Sequence, residues 1–404
     1  APHRICLAHS MWHSFQLSSG CPSPHPKWPH GSPTIVKRRA VEERQRPWQI
    51  MSTRQEPHRP AWLLRHLHTQ EMQQLEELRK RRLCASALQL QEDPEFTVPD
   101  IANAPRRSAP ESDRLFRRCA EATQVEGVPA GTLFEHKNWS GSVVYPGTLR
   151  DFDVYLPAGT SSGEELGLIF IADGKAAWQF ATNLSVVLDN LIHQQRMPRA
   201  AAVLAGVGWE PGTGAEGMKA KETFPTSPMA MLQRIHELDT ISEDYGHHIL
   251  HEVLPWIEER HNIVFSSDPS LRCIAGQSSG AICAFNVAWT RPESFSLVLA
   301  VSTSFCNSIP GYLFPREVRW RKKKPLRFYL TAGEYDLSDE RGDWAEHTRL
   351  MGSALAGKGY DHVVEIAKGG GHTLRYTGSR LAFILEWLFR VGWDGRSGSP
   401  SARL

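Results

Sequence analysis

The 404-residue chain would suit about two or three average domains on length alone. Apolar residues make up 41% and charged residues 22%, the balance of a globular chain and not of a fibrous or wholly disordered one. Apolar runs such as Leu166–Ala172 fall far short of the roughly 20 residues of a spanning helix, and a formal net charge of +2 is too small to argue for nucleic acid. The charge is unevenly spread. Residues 1–110 hold 16 basic and 10 acidic groups, against 30 and 34 in the rest, so the two parts read as different kinds of chain. Seven cysteines form an odd set with no C-x-x-C pair, which gives no support to a zinc ribbon or a redox motif.

In chain order, residues 1–60 carry nine prolines and few periodic apolar residues, a composition that reads as a disordered extension. The first thirty residues lack the apolar run of a secretory signal peptide. The compartment is left open, cytoplasmic or secreted after processing. Residues 61–91 have helix-forming composition with leucines at roughly helical spacing, and a polar, Pro-containing linker follows to about residue 112. A single domain is expected over 113–395, and from about residue 128 its pattern is regular. Strands are expected at 132–135, 148–156, 166–172, 201–207, 272–275, 296–302, 326–331 and 363–366. Helices are expected at 181–195, 242–261, 279–289, 346–355 and 380–389, with an irregular Gly-rich stretch at 208–232 and a disordered tail at 396–404. Strands alternate with helices, and the later strands are continuously apolar. Both features predict an α/β fold with a mostly parallel, doubly wound sheet covered on both faces.

Gly276-Gln277-Ser278-Ser279-Gly280 follows an apolar strand and opens a helix, the context of a G-x-S-x-G nucleophile elbow. Ser278 must sit on a tight turn, so residues two away on each side must be small. The helix after it aims its first amides at the place where an oxyanion would develop. A serine nucleophile needs a base, and the base an orienting acid, in the chain order Ser, acid, His for this architecture. His372 lies past the strand 363–366 in Gly369-Gly370-Gly371-His372, whereas His347 falls in a helix and His362 at the wrong end of a strand. The acid should follow the strand 326–331. Asp336 is the first choice, Glu334 the second and Asp339 the third. The oxyanion amides are assigned to Ser279 and to Lys175, in the Asp173-Gly174-Lys175 loop after 166–172. Trp178 belongs either at the pocket mouth or in the core. Gln277, beside the nucleophile, is taken as a substrate contact.

Residues 128–390 resemble the putative-esterase family of α/β-hydrolases, which includes enterochelin esterases, feruloyl esterase domains, S-formylglutathione hydrolases and mycolyltransferases. The residues that carry the resemblance are Glu126–Gly131, Tyr145–Arg150 before Val154–Pro157, Phe170–Gly174, Arg234–Leu238, Leu254–Ile257, Arg272–Gly280 and Gly369–His372. The resemblance implies the α/β-hydrolase fold, the Ser278, Asp336 and His372 triad, and oxyanion amides at Ser279 and Lys175. It places the 234–238 stretch beside the substrate pocket, so Arg234 and Glu237 are either substrate contacts or a structural ion pair. Relatives often carry Met or another larger residue where this chain has Ser279, which alters the pocket wall but not the amide. The β-sandwich domain that precedes the hydrolase in enterochelin esterases has no counterpart pattern in the first 110 residues.

These readings predict a serine carboxylesterase that works through an acyl-enzyme, with no metal or organic cofactor. Its expected substrate is a feruloyl, acetyl or other carbohydrate-linked ester, then a siderophore-like ester; neither nucleic acid nor membrane is an expected partner. Acyl transfer to an alcohol on the same scaffold and a catalytically dead binding module are the rivals.

Overall fold

A computed structural model of the chain describes residues 110–211, 228–305, 311–339 and 342–390. The readings for residues 1–109 and for the C-terminal tail lie outside them. The strands are β1 (Thr132–Trp139), β2 (Arg150–Leu156), β3 (Glu164–Ala172), β4 (Ala200–Ala205), β5 (Ile263–Phe265), β6 (Arg272–Gln277), β7 (Leu297–Val301), β8 (Arg327–Tyr335), the short pair β9 (Ser338–Asp339) and β10 (Gly342–Asp343), and β11 (Asp361–Gly371). The helices are α1 (Lys175–Thr182), α2 (Leu184–His193), α3 (Pro228–Leu238), α4 (Asp244–His248), α5 (Leu254–His261), α6 (Ser279–Thr290), α7 (Phe314–Trp320), α8 (Trp344–Gly357) and α9 (Arg375–Phe389).

The main sheet runs in the order β1-β2-β4-β3-β6-β7-β8-β11, with β5 added beside β3. β1 and β2 pair antiparallel, as do β2 and β4, while every pair from β4 to β11 is parallel. Period-two geometry explains the solid apolar runs. Along β3, Leu166, Leu168, Phe170 and Ala172 face one apolar cluster, and Ile169 and Ile171 face the other. β4, β6 and β7 divide in the same way, so both faces of each strand must be apolar. α6 packs on the sheet with Ser279 through Trp289 buried, which is why it shows no polar face.

The sequence pattern and the structure part at several places. The helix expected at 181–195 is two helices, because Asn183 adopts φ +55°, a left-handed conformation that ends α1 and opens α2. The helix expected at 242–261 contains a π-helical turn at Ile249–Val253 between α4 and α5. Pro255, which cannot donate an amide hydrogen bond, sits at the start of α5. α3 begins inside the stretch read as irregular, and α7 and β5 were not expected. Among the described residues, no helix is long and apolar enough to cross a membrane.

Candidate active site

The carboxyl ends of parallel strands converge on one edge of the sheet, where α/β folds place their sites. Five loops matter there, following β3, β6, β7, β8 and β11. Ser278 leaves β6 with φ +57° and ψ −120° and caps α6. A non-glycine residue in that region is strained, and such strain gathers where a side chain must be presented. The flanking glycines are required by contact distance. A Cβ on Gly276 would fall 2.1 Å from the Gly280 carbonyl oxygen, and one on Gly280 would fall 2.2 Å from that of Ala172. The elbow therefore lies directly against the end of β3.

Beyond β3, Asp173 and Gly174 both take positive φ, at +67° and +73°, and α1 begins at Lys175. Helix-initial amides have no partner within their own helix, so the backbone N–H groups of Lys175 and Ser279 are of the right kind for an oxyanion hole. Arg234 ties the two loops together. It is buried, donates to Asp173 Oδ2 through Nε at 3.0 Å and Nη2 at 2.7 Å, and donates to Ser279 Oγ through Nη1 at 2.9 Å. The hydroxyl at position 279 thus accepts a bond from a buried cation.

His372 Nδ1 lies 2.6 Å from Asp336 Oδ1. The same carboxylate accepts from the Leu337 amide at 2.7 Å and the Gly333 amide at 3.2 Å. Burial pushes the Asp336 carboxyl up. The facing imidazole of His372, a bond from Ser302 and the Leu337 amide outweigh burial and hold it below the usual carboxylate range. Ionised, Asp336 can only accept, so the imidazole proton sits on Nδ1 and Nε2 is the free base. Of the rival carboxylates, Glu334 accepts from the Gly369 amide at 2.8 Å, and Asp339 lies in the β9–β10 pair. His347 is in α8 and His362 near the start of β11.

Two residues that the sequence did not single out join this edge. Ser304 Oγ lies 3.4 Å from Ser278 Oγ and accepts from Trp344 Nε1 at 3.2 Å. Ser302, at φ +47° past β7, bonds Asp336. Their one sequence signal was position, in a Ser-Thr-Ser run at the end of the strand next to the elbow.

The expected substrate contacts fare differently. Gln277 is half-buried at the end of β6. Trp178 is only 1% exposed and packs in the apolar cluster with Leu184 and Val187, so it is a core residue and does not stand at a pocket mouth. Glu237 is buried. It forms a fully buried bidentate pair with Arg150 on β2, with both N–O distances 2.8 Å. Burial pushes Glu237 up, but Arg150 and Gln233 bring it below the usual range. Arg234 is likewise held in an ion pair, with Asp173. Glu237→Ala would leave the Arg150 guanidinium buried and uncompensated, and is expected to cost about 3–5 kcal/mol of stability. Urea unfolding measures this, and a loss under about 1 kcal/mol would show that the pair is dispensable.

Residues 144–384 match the family described as Putative esterase. The chain belongs to the putative-esterase family. No curated protein matches its sequence. Among solved structures, the enterobactin esterase of Shigella flexneri, determined in the presence of enterobactin, is 22% identical with a TM-score of 0.50. The match covers 67% of this chain and 61% of that one. A ferulic acid esterase from Anaeromyces mucronatus, in complex with ferulic acid, is 16% identical with a TM-score of 0.50. That match covers 67% of this chain and 94% of that one. These likenesses establish a shared fold, and family membership supports ester hydrolysis. This esterase spans about three fifths of the length of the enterobactin enzyme. Among its described residues, no group of three or more His, Cys, Asp or Glu side chains could hold a metal ion.

Proposed function

We propose that the chain is a serine carboxylesterase that works through an acyl-enzyme. The observation that carries this reading is the 2.6 Å His372–Asp336 pair on the same strand edge as the Ser278 elbow. Nε2 of His372 takes the Ser278 hydroxyl proton as Oγ attacks the ester carbonyl. The oxyanion of the tetrahedral intermediate is received by the amides of Ser279 and Lys175. Collapse of the intermediate expels the alcohol, which takes the proton back from His372. Water, deprotonated by the same imidazole, then releases the acid and restores Ser278. Asp336 stays ionised throughout and stabilises the transient imidazolium.

The substrate class we favour is an ester of an aromatic or acetyl acid linked to carbohydrate, then a siderophore ester. The ferulic acid and enterobactin esterases share the fold, and their ligands suggest the first compounds to try. The purified chain is tested on p-nitrophenyl acetate, a feruloyl ester and a siderophore ester, together with fluorophosphonate labelling. Turnover with labelling at Ser278 is the expected result. Labelling with no turnover of any ester in water, but product formation when an alcohol acceptor is added, would replace hydrolysis with acyl transfer.

The N-terminal composition leads to a further expectation. A chain beginning at Gln91 retains every residue described above and should keep its kcat on p-nitrophenyl acetate. A folded truncation with reduced kcat would show that residues 61–90 complete the site.

A further inference from the structure

We infer that Asp113 is a positioning residue for His372, a role that rests on the serine-esterase reading above. The histidine follows three consecutive glycines, Gly369 to Gly371, which have the widest backbone freedom of any residues. They close β11, where the register with β8 is broken between Ala367 and Gly371, so strand pairing alone restrains this end of the strand weakly. The structure supplies the restraint from a segment far away in sequence. The Asp113 carboxylate, 1% exposed, accepts from the Gly371 amide at 3.1 Å. It also accepts from Thr373 Oγ1 at 2.9 and 3.1 Å. The residues immediately before and after His372 are therefore both bonded to one carboxylate. Ser112 Oγ donates to the Gly369 carbonyl at 2.8 Å, at a residue with φ +75°. On its outer side, Asp113 pairs with Arg375 Nε at 3.4 Å.

The segment that carries Asp113 is itself anchored. Residues Glu111–Leu115 form a short 3-10 helix. Phe116 meets Tyr376 edge to face at 5.2 Å, and the Cys119 amide donates to the Gly378 carbonyl at 3.0 Å. Both partners lie in α9, the helix that begins just past His372. A buried carboxylate is costly unless its oxygens are filled. Here the donors that fill them are the two neighbours of the base and the first side chain of α9. Asp113 touches no reacting atom. Its effect on catalysis runs through the placement of the imidazole.

Three measurements on the full chain decide this. Asp113→Ala should lower kcat on p-nitrophenyl acetate about 10- to 100-fold with KM within about twofold, because a misplaced base costs rate and not binding. Asp113→Asn keeps the Oδ1 acceptor for Gly371 and Thr373 and should retain kcat within about threefold of wild type. Amide exchange of a peptide spanning 366–374, followed by mass spectrometry, should accelerate in Asp113→Ala and stay near wild type in Asp113→Asn. If Asp113→Ala does not fold, Thr373→Val removes one of the two bonds beside His372 and is read in the same way. Unchanged kcat in a folded Asp113→Ala chain overturns the proposal, as do equal losses in the Ala and Asn variants. Amide exchange needs no turnover. If the wild-type chain hydrolyses no ester, accelerated exchange still supports the restraint and locates the failure in the proposed activity, while unchanged exchange rejects the restraint itself.

Discussion

Ser278→Ala is expected to lower kcat on a small chromogenic ester by on the order of 10⁶, leaving only what the oxyanion amides and substrate binding supply. The effect is large because members of a triad act as a unit, and no neighbour can take the place of an elbow hydroxyl. Ser279 is the obvious competitor, and its surroundings argue against it. Its hydroxyl accepts from buried Arg234 at 2.9 Å, and it is the first residue of α6, not the residue at φ +57°. Ser304, 3.4 Å from Ser278 Oγ, is the other hydroxyl nearby, and it already accepts from Trp344. A fluorophosphonate probe should label wild type and Ser279→Ala but not Ser278→Ala. Ser279→Ala should keep most of its turnover, because its amide survives. Labelling of Ser278→Ala at another residue, mapped by mass, would sink the mechanism.

Asp336→Asn is expected to cost roughly 10⁴ in kcat, by the tautomer argument for serine proteases. An amide nitrogen facing His372 Nδ1 would favour the proton on Nε2, the wrong place for a base. The carboxylate of Asp336 is held in the ionised form by His372, Ser302 and the Leu337 amide, so its pKa lies lower in the folded chain than in the unfolded one. The stability it contributes is complete above the ordinary carboxylate range and is lost as pH falls through the lower folded value. Asp336→Asn should therefore flatten the acid limb of a stability profile. Glu334→Gln is the control. Glu334 bonds the Gly369 amide and not the imidazole, so this variant should lose much less kcat. A greater loss in Glu334→Gln than in Asp336→Asn would reassign the acid.

The sequence by itself determined the layered α/β fold and the elbow. β3, β4, β6 and β7 are apolar on both faces because each is covered on both faces, and that requirement is written residue by residue along the strand. Gly276 and Gly280 are legible from the elbow spacing; a Cβ on Gly276 would strike the Gly280 carbonyl within the turn, and one on Gly280 the Ala172 carbonyl of β3. The places of His372 and Asp336 past two late strands predict that they meet, since parallel strands deliver such loops to one edge, and their side chains do bond each other. The tertiary structure decided what depends on partners distant in the chain. The sequence leaves Arg234 and Glu237 open between substrate contacts and ion pairs, and the fold puts Asp173 and Arg150 beside them. Trp178 could be core or pocket until its packing was known. Asp113 gave no signal at all, because nothing in residues 110–116 refers to a loop some 258 residues away. Spacing within a strand, a helix or a tight turn reports local geometry, whereas the pairing of a buried charge is fixed only when the sheet has closed and chosen which loops meet.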